Sequence, residues 1–343
     1  MTLSRRKFVS LSAAAALGSA GGVAALSAAA PPTAAKASRP PEVKTGGIRL
    51  IPVDGQYHVW TKKVGSGKLK VLTLHGGPGF GHEYFECFED FLPRHGIEFY
   101  YYDQLGSYYS DQPDDTSFWT VDRFREEVEQ VRRALELENF YLYGHSWGGM
   151  LGVEYALKYP HHLKGLVISD MTASVASYNA YAGELRKKLP PEVIAVLEQY
   201  EAKGEYHAPE YEKAMFEHVY TRHICRLDPW PDPVLRTFKH LNEKVYNTMQ
   251  GPNEFVITGN FKDWDRWKDL PAIRVPTQLI VGRHDTMNPA DIQKMGRLMP
   301  RSRVLVCEKG SHLCMYDDQE TYFRGLLKFF DDAEAGRFGK TTA

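Results

Sequence analysis

Short, nearly unbroken apolar runs alternate along this chain with longer stretches in which apolar residues recur every three or four positions. The runs at 68–74, 98–103, 140–143, 163–170, 277–282 and 302–307 have the length of strands. They lack the polar alternation of a half-exposed sheet, as expected of parallel strands covered on both faces. The stretch 48–60 also reads as strand. Over 121–137, Val121, Phe124, Val128, Val131 and Leu135 fall on one helical face with charges between them. From Gly148 a second helix runs until Tyr159-Pro160 stops it. This alternation predicts an α/β fold: a mostly parallel sheet with helices on both faces.

Between 171 and 270 the pattern changes. Helical periodicity takes over at 191–200, 211–223 and 233–249, and aromatic residues become dense, most of them packing the segment's own core. The strand-and-helix pattern resumes at Ile273. A helical cap inserted after the sixth strand would lie over the strand C-terminal ends, where open α/β sheets bind ligands. The chain therefore divides into a first core segment (48–170), the cap (171–270) and a second core segment (271–343).

Composition adds exclusions. With 343 residues, 43% of them hydrophobic, the chain can bury a sizeable core. A net charge of −1, with both signs mixed and no basic run interleaved with aromatics, argues against a nucleic-acid partner. No internal repeat or heptad array is present. The first 37 residues differ from the rest: Ser4-Arg5-Arg6-Lys7-Phe8 precedes an uncharged, mildly apolar run rich in Ala, Gly and Ser. That is the pattern of a twin-arginine export signal, removed at Ala35-Lys36-Ala37 or at Ser27-Ala28-Ala29, with 38–47 as a Pro-rich linker. The Gly and Ser content makes the run a poor transmembrane helix, so no stable membrane insertion is expected after cleavage. Cleavage removes Arg5, Arg6 and Lys7 and takes the charge from −1 to about −4 or lower. The mature protein is then periplasmic or secreted. Cys87, Cys225, Cys307 and Cys314 contain no C-x-x-C pair, which disfavours zinc, and they read as buried free thiols.

Candidate chemistry centres on Gly144-x-Ser146-x-Gly148, lying between a strand and a helix. This is the pattern of a nucleophile elbow, in which a sharp turn holds the serine hydroxyl exposed and a Cβ at either glycine would collide. The helix that follows aims free N–H groups at the point where an oxyanion would form. Asp285 follows the strand 277–282, and His312 follows the strand 302–307. The order Ser146, Asp285, His312 is that of α/β-hydrolase triads. His75-Gly-Gly-Pro-Gly79 follows an earlier strand and offers the Gly77 N–H as one oxyanion donor, with the Trp147 N–H as the other. Asp103 reads as a structural carboxylate bonding loop amides. His161, His162, His218 and His223 read as structural, since none has metal-ligand spacing. A serine at 146 excludes the branches of this fold whose elbow nucleophile is aspartate.

Together these residues resemble the proline iminopeptidase (prolyl aminopeptidase) family of the α/β-hydrolases. The likeness spans roughly 48–330 and rests on His75-Gly-Gly-Pro-Gly79, Tyr102-Asp-Gln-x-Gly106, Gly144-His-Ser-Trp-Gly-Gly149 and the surroundings of Asp285 and His312. The cap segment 246–259, with Gly-Pro-Asn-Glu-Phe inside it, is similar to the tricorn-interacting aminopeptidases. The resemblance implies a serine aminopeptidase that releases an N-terminal residue, preferably proline, from short peptides or amino-acid amides through an acyl-enzyme, without a metal or organic cofactor. It also implies that Glu254, with Tyr246 nearby, holds the free α-amine of the substrate. The chain departs from the family where a second acid follows the catalytic aspartate: Thr286 stands there. A buried ammonium with one carboxylate fewer is less compensated, by roughly 2–5 kcal/mol. The alternative is therefore a broader amidase or esterase without strict free-amine recognition. A catalytically silent binding scaffold conflicts with the complete triad.

Overall fold

The structure is a computed structural model that describes residues 44–338. The expected export signal (1–37) and most of the expected linker (38–47) lie outside the described residues. The strands are β1 (Ile48–Val53), β2 (Tyr57–Val64), β3 (Leu69–Leu74), β4 (Ile97–Asp103), β5 (Phe140–His145), β6 (Leu163–Ser169), β7 (Thr277–Gly282) and β8 (Ser302–Cys307). They form one sheet in the order β1-β2-β4-β3-β5-β6-β7-β8. The pairs β1–β2 and β2–β4 are antiparallel, and every later pair is parallel. The stretch 48–60 divides because Asp54 (φ 52°) and Gly55 (φ 73°) turn the chain back, with Val53 facing Tyr57. Arg123 Nε, 2.8 Å from Asp54 Oδ2, braces that turn.

The helices are α1 (Val121–Ala134), α2 (Trp147–Lys158), α3 (Val175–Arg186), α4 (Pro191–Glu201), α5 (Pro209–Met215), α6 (Thr221–His223), α7 (Asp232–Lys239), α8 (Glu243–Met249), α9 (Pro289–Leu298), α10 (Cys314–Asp317) and α11 (Gln319–Glu334). Because strand side chains alternate in direction, each central strand feeds two cores. Phe140 and Leu142 join Phe124, Val128 and Met150 on the face covered by α1 and α2, and Tyr141 and Tyr143 join Phe323, Leu326 and Phe330 of α11 on the other. The central strands are therefore buried on both sides, as their unbroken apolar runs require. Burying each such side chain contributes about 1.5–3 kcal/mol.

The segment α3–α8 is the cap, inserted between β6 and β7. It has a small core of its own around Leu189, Val193, Leu197, Tyr211 and Met215. The periodic run 233–249 is two helices: Asn242 caps α8 by accepting from the Lys244 amide at 3.0 Å, after the chain bends at His240. The run 211–223 is likewise composite, α5 passing through a π-turn at Phe216–Tyr220 into α6. Helix α3 has no counterpart among the sequence expectations. Among the described residues no helix is long and apolar enough to cross a membrane. All four cysteines are free, and Cys225, Cys307 and Cys314 are buried.

Candidate active site

The site is assembled from loops at the C-terminal ends of β3, β5, β7 and β8. At the end of β5, Ser146 takes φ 54° and ψ −127°, a conformation that L side chains rarely adopt. The surroundings enforce it. A Cβ on Gly144 would come within 2.0 Å of the Gly148 carbonyl, and one on Gly148 within 2.0 Å of the Leu74 carbonyl. The Ser146 N–H is anchored to the Ser169 carbonyl at 2.9 Å, and Ser146 begins α2 by accepting from Gly149 N–H at 2.7 Å.

Beyond β7 and β8, Asp285 and His312 meet: His312 Nδ1 lies 2.7 Å from Asp285 Oδ1. Burial by itself would lower the imidazole's pKa, but the charge of Asp285 and this hydrogen bond outweigh it and hold His312 above the ordinary histidine value. Ser146 and His312 line the same cavity, with Gly77, Tyr84 and Glu254 in its walls. Among the described residues no hydrogen bond joins Ser146 Oγ to the imidazole, a contact that in unliganded enzymes often tightens only when substrate binds.

Gly77 and Trp147, the residues expected to supply oxyanion donors, lie beside Ser146. Gly77 takes φ 105° ahead of Pro78, a conformation open to glycine, and neither its N–H nor that of Trp147 is used by an acceptor among the described residues. Both residues line a second, smaller cavity with Ser146. The loop carrying Gly77 is tied to the elbow through Gln104: its Nε2 donates to the His75 carbonyl at 3.1 Å, and its Oε1 accepts from Trp147 Nε1 at 2.8 Å. His75 Nε2 accepts the Gln104 N–H at 3.0 Å. Burial pulls the His75 pKa down to about 4, so the ring is a neutral structural element. Asp103 accepts from the His82 amide at 2.8 Å and from the Tyr109 amide at 3.4 Å, a loop-bonding carboxylate.

Glu254 and Tyr246 also meet at the site. Tyr246 Oη donates to Glu254 Oε1 at 2.7 Å, and Tyr178 Oη donates to Glu254 Oε2. Glu254 lines both cavities. Thr286 is buried, and its Oγ1 lies 3.3 Å from Asp285 Oδ1, so the position offers a hydroxyl to the aspartate in place of a second carboxylate.

Several contributors escaped the sequence reading. Tyr178, on the unexpected helix α3, is the second hydroxyl on Glu254. His145 joins two loops: Tyr84 Oη accepts from the Gly76 N–H at 2.7 Å and lies 3.1 Å from His145 Nδ1, and His145 Nε2 lies 2.8 Å from the His312 carbonyl. His223 and Ile224, in the cap, accept the N–H groups of His312 and Leu313 at 2.9 and 2.8 Å. A histidine beside the nucleophile was visible as Gly144-His-Ser146. The rest depend on residues brought together from remote parts of the chain.

A strained serine at a strand-to-helix turn, a buried aspartate–imidazole pair facing it and two free N–H groups beside it define a serine hydrolase of the α/β type. Residues 71–319 match the α/β hydrolase fold family. The chain is 47% identical over 290 residues to a proline iminopeptidase of Flavobacterium johnsoniae, covering 82% of this chain and 98% of that one. It is 48% identical over 297 residues to that of Elizabethkingia meningoseptica, covering 84% and 100%. Among solved structures, the proline iminopeptidase of Mycobacterium smegmatis superposes with a TM-score of 0.78 at 32% identity, over 84% of this chain and 99% of that one. VinJ superposes with a TM-score of 0.80 at 36% identity, over 83% and 98%. The chain belongs to the proline iminopeptidase family of the α/β-hydrolases.

Proposed function

We propose that this site releases an N-terminal residue, proline preferred, from short peptides or amino-acid amides through an acyl-enzyme. One observation carries the reading beyond family membership: the Glu254 carboxylate, fixed by two tyrosine hydroxyls, faces the same cavity as Ser146 and His312. A carboxylate at that place can hold an ammonium group while the adjacent carbonyl lies at the serine. In this reading His312 takes the proton of Ser146 as Oγ attacks, Asp285 fixes the tautomer and stabilises the imidazolium, and the Gly77 and Trp147 N–H groups bind the oxyanion. Loss of one such donor costs roughly 3–4 kcal/mol. His312 then protonates the leaving amine, and water hydrolyses the acyl-enzyme. The smaller cavity beside Ser146 is walled by the apolar side chains of Trp147, Phe261, Met150 and Met287.

A second reading, a broader amidase or esterase, is motivated by Thr286, which leaves Glu254 without a neighbouring acid after the catalytic aspartate. One panel separates the two: prolyl, alanyl and N-blocked anilides beside simple aryl esters, with Ser146→Ala as control. The exopeptidase reading expects free-amine substrates to be strongly preferred. Equal turnover of blocked and free substrates overturns it in favour of the second.

We also infer from Ser4-Arg5-Arg6-Lys7-Phe8 that the protein is exported folded by the twin-arginine route. Replacing Arg5 and Arg6 by lysine should leave the full-length precursor in the cytoplasm; unchanged export of the double variant would refute it.

A further inference from the structure

Behind the triad lies a carboxyl group that the mechanism above does not use. Asp170 follows β6, is wholly buried, and takes φ 54° with its N–H held by the Ile280 carbonyl at 2.9 Å. Its side chain accepts from Ser169 Oγ at 2.6 Å and from the Gly282 N–H at 3.0 Å, and the Cys314 thiol lies 3.3 Å away. Asp170 and Asp285 share the Gly282 peptide, Asp170 Oδ1 accepting its N–H and the Asp285 N–H donating to its carbonyl at 3.3 Å, which brings the two carboxyl groups together. On Asp285, Oδ1 is engaged by His312 Nδ1 at 2.7 Å and by Thr286 Oγ1 at 3.3 Å, and Oδ2 is buried with no donor.

The groups facing this pair come from several elements, and beside Asp285 lie His312, Thr286, Tyr178 and Tyr181 of α3 and His223 of α6. From β5 comes His145, whose Nε2 is 3.8 Å from Asp170 but already points at the His312 carbonyl, and whose ring burial keeps well below the ordinary histidine value. From β8 and α10 come Cys307 and Cys314, from α11 Tyr322 through Ser169, and farther off are Tyr84 and Tyr143. No arginine or lysine is among them. Two ionised carboxylates in contact there would repel each other at low dielectric with no cation to offset it.

We propose that Asp170 is the protonated member of an acid–carboxylate pair and donates its hydrogen bond to Asp285 Oδ2, making it a positioning residue for the aspartate that orients His312. Burial, and then the charge of Asp285, push the Asp170 carboxyl well above the usual carboxylate range, which agrees with this placement of the proton. The alternative placement, on Asp285, would remove the charge that faces His312, whereas Asp170 faces no cation that would favour its ionised form. With the proton on Asp170, both oxygens of Asp285 have donors: His312 Nδ1 and Thr286 Oγ1 on Oδ1, and Asp170 on Oδ2. The carboxylate is then held against rotation away from the imidazole. The kinetic role rests on the hydrolase reading above; the location of the proton does not.

The experiment has two arms. In the first, infrared difference spectra between the wild type and Asp170→Asn at neutral pH should contain the carbonyl band of one protonated carboxylic acid lost in the variant. This arm needs no substrate, so it decides the matter even if the substrate panel fails. In the second, Asp170→Val should lower kcat by about tenfold with KM nearly held, and Asp170→Asn, which keeps a neutral donor, should restore kcat to within about threefold. The acid limb of kcat/KM for Asp170→Asn should coincide with that of the wild type. Absence of the acid band, or an acid limb displaced downward by about one pH unit in Asp170→Asn as a negative charge is lost, overturns the proposal. The infrared arm and Asp170→Asn stand even if Asp170→Val does not fold.

Discussion

An imidazole buried beside a carboxylate is pulled two ways, and at His312 the carboxylate prevails. Because the ring acts as a base only when neutral, activity should fall as pH drops through a value above the ordinary histidine pKa of 6.5. A pH profile of kcat/KM for a prolyl anilide checks this; an acid limb centred below that value would refute the balance inferred here. Glu254 makes a second expectation at the same scale. Glu254→Gln keeps the shape and the two tyrosine partners but removes the charge opposite an ammonium. KM for free-amine substrates should rise by roughly thirtyfold, about 2 kcal/mol, while aryl esters without an amine change little. Equal losses on both classes would show that the residue only supports the cavity wall.

The elbow belongs to the element scale, because its serine is held by two glycines that no other residue can replace. Gly148→Ala places a methyl 2.0 Å from the Leu74 carbonyl, so β3 and α2 must separate. A stability loss of about 3 kcal/mol or more, read by urea denaturation, should accompany loss of turnover. A stable, active variant would mean that the elbow is softer than its geometry implies. Elements of this kind were legible in the sequence because their reasons are local: a buried parallel strand needs an unbroken apolar run, and a sharp turn needs glycine. The cap was harder to read. In α3 the buried positions are Val175, Tyr178, Ala182 and Leu185, so the stripe is thin and partly aromatic, and only the Ser174 cap on the Ser177 N–H marks its start. The break between α7 and α8 likewise depends on Asn242, whose amide N–H donates to the Gly79 carbonyl and whose side chain donates to the Gly106 carbonyl, contacts made across the fold. Of the site, Ser146, Asp285, His312, Gly77, Trp147 and Glu254 could be picked out by motif. The Tyr84–His145 link and Asp170 could not, since their partners lie 61 and about 115 positions away.

Across the whole molecule, the cap is fastened to the core by charge as well as by packing. Arg236 of α7 reaches Glu83 and Glu86 of the core at 2.6 Å each, and His240 also bonds the buried Glu83 at 2.7 Å. Arg236→Ala would leave Glu83 with one partner. Because the guanidinium is about a third exposed, the loss should be about 1–2 kcal/mol, measured by urea denaturation, with a modest rise in KM as the cap loosens. An unchanged midpoint would show the latch to be ornamental. The two cap carbonyls that accept from His312 and Leu313 have a larger consequence. The cap and the loop that carries His312 share a fastening, so a backbone shift in one is passed to the other. A chimera that took its lid from a relative would keep its turnover only if the graft junctions left 223 and 224 untouched. New specificities should therefore arise most readily in the lid segments on either side of that short stretch.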